Sequence, residues 1–485
     1  MGLRIGTRSA SNGVANLCID HRSGTGSTMY DIVIIGGGPG GYASALYAHN
    51  FGLKVALVEK DRVGGTCLLR GCIPAKAWIE SGGVYATVAG AEEFGVITSE
   101  PEFSWPKALI RKQKVVEGLV KGLSGTLKAR GVDIIEGHGR FTGPGTVAVE
   151  QADGAVMELQ GRSIILASGS APATIPGYEI DGTRIVTSDE ALDWDDQPAS
   201  VAIIGGGVIG SEFASFLGEV GTKVHLFEME DQLVPGMEPE AAKVLQRAFR
   251  KRKIDVHLGV AVGSPAVGED SVTVPFGDEE VQVETVLMAV GRRPVTDDAG
   301  LDAVGITTDR GYISVDPATM ATTTPGVYAV GDIVAGTPQL AHVAFAEAIA
   351  AVTHIATGEV AAVDYNAIPM VVYSHPEIGW VGRTEAVARD EGVDVEVAEH
   401  AMRGVGRAII QGTIDGTVKV VTEVDGPILG ATVVGHGAGE MVHELMYAVG
   451  WEALPAEAAA FIHAHPTISE AIGETLMAST GRPLH

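Results

Sequence analysis

The chain contains the same strand–glycine–helix–strand pattern twice, and this duplication limits the fold more than any other feature. The first copy, DIVIIGGGPGGYASALYAHNFGLKVALVE, places Gly36, Gly38 and Gly41 in the spacing G-x-G-x-x-G and ends at Glu59. A diphosphate needs bare backbone N–H groups at a helix N-terminus, and the terminal acid suits the hydroxyls of a ribose. This segment therefore predicts a dinucleotide site.

The second copy, SVAIIGGGVIGSEFASFLGEVGTKVHLFE, repeats the pattern with Gly205, Gly207 and Gly210 and ends at Glu228. Two copies predict two Rossmann-type units, each with its own dinucleotide. Glu228 can accept hydrogen bonds from a free 2′-hydroxyl but would repel a 2′-phosphate, and residues 229–231 add two acids and no arginine. The second unit is therefore predicted to prefer NAD over NADP.

Two cysteines, Cys67 and Cys72, lie close together in GGTCLLRGCIPAK (64–76). The chain has only 3 cysteines, too few for a secreted disulfide scaffold, so the pair is interpreted as catalytic or metal-binding. A metal site needs two more ligands nearby, and the segment offers none; a buried structural pair is the other alternative. Together with two dinucleotide sites, the pair predicts an electron relay between nicotinamide, flavin and disulfide, with no metal.

Charge and hydropathy exclude some partners. The net charge of −27 would repel a nucleic-acid backbone, and no apolar run approaches the ~20 residues of a membrane span. Residues 1–28 are rich in Ser and Gly and carry Arg4, Arg8 and Arg22, as a transit peptide to the mitochondrial matrix would. We favour two other interpretations, a disordered tail or a true start at Met29. Either of them predicts a cytoplasmic enzyme.

From Met29 almost to the end, the sequence resembles the flavin-dependent pyridine nucleotide–disulfide oxidoreductases. The resemblance is carried by several motifs in the same order as in that family. They are the cysteine segment, the crossover segments ILASGSAP (165–172) and VGRRP (290–294), the second FAD motif TTTPGVYAVGD (322–332), YSHPEIGWVG (373–382) and AHPTISEA (464–471).

The resemblance implies an α/β fold with two Rossmann-type dinucleotide-binding domains and an α+β C-terminal dimerisation domain. The implied bounds are 29–170 for the FAD-binding domain with a return segment at 297–365, 171–296 for the NAD-binding domain, and 366–485 for the interface domain. In the last domain, alternating residues predict a β-meander with turns at Asp415-Gly416 and Asp425-Gly426. EAIAAVTHIA and EMVHELMYAVG predict helices.

Thiol–disulfide exchange requires a proton carrier near pH 7, and histidine is the natural group when a carboxylate orients it. By resemblance, His465 is this acid/base and Glu470 orients it, and both come from the second subunit of a homodimer with shared active sites. The resemblance also makes Cys67 the sulfur that exchanges with substrate and Cys72 the sulfur that faces the flavin. His463 is interpreted as structural.

Other site residues follow from the resemblance alone. Lys76, paired with Glu212, would lie at the reactive edge of the flavin, and Asp332 would hold its ribityl chain. The implied FAD contacts are Gly36, Gly38, Gly41, Glu59, Thr66, Lys76, Gly139, Ser168, Gly169, Ser170, Asp332, Leu340, Ala341 and His342. The implied NAD contacts are Gly205, Gly207, Gly210, Glu212, Glu228, Val262 and Gly291.

The residues after His-Pro-Glu and His-Pro-Thr most resemble members that oxidise dihydrolipoamide. We therefore expect an enzyme that reoxidises the lipoyl arm of a 2-oxo acid dehydrogenase or glycine-cleavage complex with NAD, and a lipoyl-domain acyltransferase or lipoyl carrier protein as partner. The alternatives are an NAD(P)H-dependent reductase of another low-molecular-weight disulfide and a non-catalytic flavoprotein. The intact cysteine pair argues against the last. Leu69, Arg70 and Ala75 depart from the family pattern and leave the substrate open.

Overall fold

The computed structural model describes residues 29–485, so the predicted tail, residues 1–28, lies outside the described residues. The strands are β1 (Met29–Ile35), β2 (Val55–Glu59), β3 (Asp133–Glu136), β4 (His138–Gly143), β5 (Thr146–Glu150), β6 (Val156–Leu166), β7 (Ser170–Pro172), β8 (Ile185–Thr187), β9 (Ser200–Ile204), β10 (Lys223–Phe227), β11 (Asp255–His257), β12 (Ala266–Val267), β13 (Val272–Phe276), β14 (Glu279–Val283), β15 (Thr285–Met288), β16 (Arg292–Pro294), β17 (Thr308–Asp309), β18 (Tyr312–Ile313), β19 (Val327–Ala329), β20 (Met370–Val372), β21 (Glu377–Gly382), β22 (Val395–Ala401), β23 (Thr417–Glu423) and β24 (Ile428–Gly435).

The α-helices surround these strands. They are α1 (Pro39–Ala48), α2 (Gly65–Arg70), α3 (Cys72–Ala89), α4 (Trp105–Ala129), α5 (Ser188–Ala191), α6 (Val208–Glu219), α7 (Pro239–Lys251), α8 (Ala341–Thr357), α9 (Glu385–Asp390), α10 (Gly406–Gln411), α11 (Ala438–Gly450), α12 (Pro455–Ala458) and α13 (Glu470–Ser479). Within residues 29–485, none of these helices has both the length and the apolar composition that a bilayer crossing requires.

The first sheet is built around β1, which pairs in parallel with β2 on one side and β6 on the other. β3 extends the sheet beyond β2, and the chain returns much later to add β19 beside β6. β1 is a run of apolar residues because both faces of the sheet are covered, and Ile32, Val33 and Ile34 are fully buried. Ile32 and Ile34 pack with α1, α4 and α8 on one face, and Val33 packs with β4 and β5 on the other. The glycine turn after β1 therefore lies at the carboxyl edge of a parallel sheet, where such folds bind ligands.

The second sheet repeats this arrangement. Its five strands, in the order β11-β10-β9-β15-β8, are all parallel, and the second glycine turn follows the central strand β9. The two predicted crossover segments lie side by side as the antiparallel pair β7 and β16. This pair connects the two units close to the edges at which the glycine turns lie.

The C-terminal unit is a five-stranded antiparallel sheet in the order β20-β21-β24-β23-β22, with α11 and α13 packed on it. The predicted turn at Asp425-Gly426 joins β23 and β24. The predicted turn at Asp415-Gly416 is wrong as a hairpin, because it only ends a long connection from β22 that contains α10. The two predicted helices correspond to α8 and α11.

A buried ion cluster joins this C-terminal unit to α7 of the second unit. Lys419 Nζ lies 2.7 Å from Glu238, 2.9 Å from Glu385 and 3.3 Å from Glu240, and the Lys419 side chain is only 5% exposed. A second contact between the same two units, from Lys251 to Asp415 at 2.6 Å, lies in solvent.

Candidate active site

The two glycine turns have the same backbone geometry. Gly36 and Gly205 have φ of +103° and +105°, in the region that favours glycine. A Cβ at Gly36 would lie 2.2 Å from the carbonyl oxygen of Ala167, and one at Gly205 would lie 2.4 Å from that of Ala289. The helices that follow, α1 and α6, begin without a side-chain cap, so their first N–H groups remain available to an anion.

The third glycine of each motif lies against its own turn. A Cβ at Gly41 would lie 1.8 Å from the oxygen of Gly36, and one at Gly210 would lie 1.9 Å from the oxygen of Gly205. Among the described residues, neither is part of the cavity wall. Gly41 and Gly210 therefore let the helix pack closely against its own turn.

The terminal acids also bind their own turns. Glu59 Oε2 accepts a hydrogen bond from the N–H of Gly37 at 2.6 Å, and Glu228 Oε2 accepts one from Gly206 at 2.7 Å. In each unit the other carboxylate oxygen accepts a hydrogen bond at 2.9 Å from the N–H two residues further along the chain. Each carboxylate thus fixes the shape of the turn at the position where it would meet a ribose.

One cavity of about 1580 Å³ is lined by both turns and by the cysteine pair. Its volume exceeds the ~300–1,000 Å³ of an ordinary ligand pocket, and its bare glycine turns at two helix N-termini suit two dinucleotides. The predicted residues that line it are Cys67, Cys72, Lys76, Glu212, Gly36, Gly38, Glu59, Thr66, Gly139, Ser168, Gly169, Ser170, Asp332, Leu340, Ala341, His342, Gly205, Gly207, Glu228, Val262 and Gly291.

The cysteines lie on two consecutive helices. Cys67 is in the short helix α2, and Cys72 is the first residue of α3, where it is exposed to the cavity; both are free thiols. The hydrogen bond from Cys67 and the positive charge of Lys76 lower the pKa of Cys72 to about 7, although removal from bulk water opposes this. The same hydrogen bond and burial raise the pKa of Cys67. Cys72 is therefore the thiol that ionises first.

Lys76 lies one helical turn after Cys72 and pairs with Glu212 of α6. Its Nζ lies 2.8 Å and 2.7 Å from the two carboxylate oxygens. Burial opposes the charge on Lys76, but Glu212 outweighs it and the pKa of Lys76 is raised. Tyr373 completes the group, since Lys76 Nζ lies 4.8 Å from its ring centroid and its backbone N–H donates to Glu212 at 3.0 Å. Tyr373 begins the YSHPEIGWVG motif, but no role in the site was predicted for it.

Residues 373–375 continue along the same face of α6. After Tyr373, the N–H of His375 donates to Ser215 Oγ at 2.9 Å, and His375 Nδ1 lies 2.5 Å from Glu219. The hydrogen bond to Glu219 raises the pKa of His375 in spite of its partial burial. The acceptors are Glu212, Ser215 and Glu219, three to four residues apart, so the C-terminal unit is bonded to α6 at successive turns.

Asp332 is held in place from two sides. Ser170 Oγ donates to its carboxylate, and Arg292 donates to Ser170 Oγ at 2.7 Å and to Ser170 O at 2.9 Å. The preceding residue, Gly331, donates its N–H to Glu347 at 2.6 Å, and burial raises the pKa of Glu347 to about 7. Arg292 and Glu347 were not predicted, although Arg292 lies in the VGRRP motif.

His465 and Glu470 form a pair outside the cavity. His465 Nδ1 lies 2.8 Å from Glu470 Oε1, and the N–H of Thr467 donates to Glu470 Oε2 at 2.9 Å. Partial burial opposes ionisation, but these two hydrogen bonds lower the pKa of Glu470. In the described part of the chain neither residue lines the cavity with the cysteines, and the His465 side chain is 79% exposed. One protomer therefore does not bring this pair to its own thiols.

The three departures from the family pattern have local partners. Leu69 packs into a small apolar cluster with Val116 and Val120 of α4. Arg70 forms an ion pair with Asp61, although it also lies in the cavity wall. Ala75 lies in the cavity wall and packs against the core of the second unit. Leu69 thus packs against α4, and Arg70 has an acidic partner at the cavity wall.

Known proteins resemble this chain over nearly its whole length. Dihydrolipoyl dehydrogenase of Bacillus subtilis is 38% identical over 95% of this chain and 100% of the relative, and that of Chlorobaculum parvum is 39% identical over 94% and 98%. Among solved structures, LpdA from Mycobacterium tuberculosis superposes with a TM-score of 0.87 at 28% identity, over 93% of this chain and 99% of that chain.

Two family models also match. Residues 30–348 match the pyridine nucleotide-disulphide oxidoreductase model, and residues 368–476 match the dimerisation domain of the same family, which supports a homodimer. These matches and the LpdA superposition confirm the family and the fold class predicted from the motifs. The chain belongs to the pyridine nucleotide-disulphide oxidoreductase family.

Proposed function

We propose that the chain is a FAD-dependent dithiol:NAD oxidoreductase that oxidises dihydrolipoyl groups to lipoyl groups. One observation carries the proposal: the thiol pair and the Lys76–Glu212 pair open into the same cavity as both dinucleotide turns. The relatives named dihydrolipoyl dehydrogenase, at 38% and 39% identity over almost the whole chain, support the substrate class. The bound FAD would supply a two-electron carrier between the thiol pair and NAD.

The acidities of the two thiols support different roles for them. A dithiol that attacks a Cys67–Cys72 disulfide expels whichever cysteine is the better leaving group, and the thiol of lower pKa leaves faster. Because the pKa of Cys72 is lowered to about 7 and that of Cys67 is raised, attack falls on Cys67 and releases Cys72 as the thiolate. Lys76 then stabilises the negative charge beside it, and Glu212 keeps Lys76 in position.

His465 takes the proton from the attacking thiol. Its Nδ1 is bonded to Glu470, so Nε2 is the nitrogen that faces the reacting group. Since His465 lies outside the cavity of its own protomer, we propose that it serves the thiols of the second copy in the homodimer. Each dimer would then contain two shared active sites.

The second unit supports NAD as the acceptor. Glu228 already accepts two backbone N–H bonds, so its carboxylate is fixed beside the turn and would repel a 2′-phosphate. Lipoyl substrates reach the site on a carrier, and we propose a lipoyl-domain acyltransferase or a lipoyl carrier protein as the partner. The low cysteine count favours a reducing compartment, and we propose the cytoplasm.

The test is a steady-state assay of purified FAD-loaded enzyme. We expect the enzyme to oxidise dihydrolipoamide with NAD as the acceptor and to do so much more slowly with NADP. A Cys67→Ser variant should show no dihydrolipoamide oxidation. Glutathione disulfide and a mycothiol-type disulfide, offered with NADH, serve as competing substrates. Turnover of either disulfide without turnover of dihydrolipoamide would reject the lipoyl substrate and favour the alternative of a small-disulfide reductase.

Subunit mixing tests the shared site. His465→Gln and Cys67→Ser are each expected to be inactive as pure dimers, because every site carries a lesion. A mixed dimer has one site with both lesions and one with neither, so activity should return toward half the wild-type value per dimer. Mixed dimers that stay inactive after verified subunit exchange would show that His465 serves its own chain.

A further inference from the structure

The loop that carries His465 is held partly through His463, whose side chain is largely buried. The loop lies between α12 and α13, and in the described run 461–466 every residue is exposed except His463. The exposed residues include Phe461 at 77% and Ile462 at 97%. His463 is therefore the contact that holds the loop on the N-terminal side of His465, while Glu470 and the packing of Ile468 hold it on the other side.

Two contacts fix the His463 ring. Its Nε2 lies 2.7 Å from Oε1 of Glu444 on α11, and its side chain is only 14% exposed. The opposite side of the ring lies against Gly473 of α13, where an added Cβ would lie 2.6 Å from Nδ1 and 3.0 Å from Cε1. The bare Cα of Gly473 therefore provides the space that the imidazole fills.

The glycine that lies against the His463 ring and the carboxylate that binds His465 belong to the same helix. Gly473 lies in α13, and this helix begins at Glu470, so one short helix carries both the surface under His463 and the carboxylate that orients His465. Glu444 belongs to α11, whose neighbouring residues His443 and Met446 line the cavity. His463 thus connects the helix at the cavity wall to the helix that orients the acid/base.

We propose that His463 is a positioning residue, and that the His463–Glu444 pair seated on Gly473 sets the reach of His465 toward the dithiol. The inference rests on the proposed function, since it assigns His463 to the dithiol step alone. Because about 1 Å of misplacement costs ~10²-fold in rate, loss of the anchor should lower kcat for dithiol oxidation by ~10- to 100-fold. Binding of the dithiol does not use His463, so KM should stay within about threefold.

The experiment compares three variants of the FAD-loaded dimer. His463→Leu removes the hydrogen bond to Glu444, His463→Gln keeps a group that can donate to it, and Gly473→Ala displaces the ring. We expect His463→Leu and Gly473→Ala to lose kcat with dihydrolipoamide and His463→Gln to recover most of it. Reduction of ferricyanide by NADH, which bypasses the dithiol step, should be unchanged in all three.

His485 provides a matched control, because its partner Glu474 lies on the same helix as Gly473. His485 pairs with Glu474 of α13 at 2.9 Å but is 72% exposed and lies outside the loop, so His485→Leu should leave both activities unchanged. If His463→Leu fails to fold, Glu444→Leu removes the same hydrogen bond from the more exposed partner. Wild-type kcat in the folded variants, or an equal loss of ferricyanide reduction, would overturn the role of His463. A wild-type enzyme inactive with dihydrolipoamide would instead reject the proposed function.

Discussion

The substitution Glu228→Gln tests how much the hydrogen bonds between Glu228 and the second glycine turn contribute to NAD binding. The two carboxylate oxygens of Glu228 each accept a backbone N–H, from Gly206 and from Glu230. A glutamine side chain has one oxygen and one NH₂ group, so in either orientation one N–H donor faces another donor. Glu228 is 9% exposed, and water has little access to replace the lost acceptor.

The expected loss follows from the energy of that bond. A hydrogen bond to a charged acceptor contributes about 1.5–3 kcal/mol, and each 1.4 kcal/mol is tenfold in affinity. If the turn must recover its shape when NAD binds, the dissociation constant should rise about 10- to 150-fold. Calorimetric titration of the FAD-loaded enzyme with NAD measures this directly.

The first unit provides the matched control. Glu59 binds its own turn through the same two hydrogen bonds, at 2.6 Å and 2.9 Å. Glu59→Gln should therefore lower the FAD retained per protomer and leave NAD affinity nearly unchanged in the molecules that keep FAD, whereas Glu228→Gln should do the reverse. The reasoning fails if Glu228→Gln binds NAD within about twofold of the wild type, or if both variants lose FAD equally.

Three further predictions concern packing, ion pairs and pH. Gly41→Ala should abolish FAD retention, measured by visible absorbance, because its Cβ would overlap the Gly36 oxygen at 1.8 Å; a Cβ at Gly118 of α4 would meet no described heavy atom within 4 Å, so retention in Gly118→Ala should stay normal. Lys419→Met should destabilise the protein by about 3–5 kcal/mol in urea unfolding, because buried Glu238 loses its partner. Lys251→Met, which removes an exposed pair between the same two units, should cause almost no change, and equal losses would contradict the argument. Because the pKa of His375 is raised in the folded state, its stabilising charge is fully present below the unfolded pKa of about 6.5 and is lost as the pH rises through the folded pKa. His375→Asn should therefore flatten the decline in melting temperature above that pH, and an unchanged slope would count against the Glu219 hydrogen bond as its cause.

The local motifs predicted the fold well because the Rossmann pattern is encoded within about 30 consecutive residues. The two strand–glycine–helix–strand copies, the helices α8 and α11 and the turn at Asp425-Gly426 all depend on neighbours in sequence. The hairpin predicted at Asp415-Gly416 is wrong because a turn-forming dipeptide does not specify which strands it connects. The domain bounds and the site roles taken from the resemblance stay predictions.

The contacts that escaped sequence analysis join residues far apart in the chain. Tyr373 donates its N–H to Glu212, 161 positions away, and Arg292 donates to Ser170, 122 positions away. The Tyr373 hydrogen bond uses a backbone N–H group. Because every residue except proline has this group, the residue type gives no indication of the bond. The sequence also could not show that Gly41 and Gly210 face their own turns, since ligand contact and helix packing require the same bare residue.

The bonding of residues 373–375 along α6 has a mechanical consequence. Those residues connect β20 to β21 in the unit that matches the dimerisation domain, and α6 carries the carboxylate that holds Lys76. Sliding the C-terminal unit past α6 would break the hydrogen bonds at Glu212, Ser215 and Glu219 together. The segment therefore ties the position of the C-terminal unit to that of Glu212, and through Glu212 to the Lys76 ammonium group beside the two thiols.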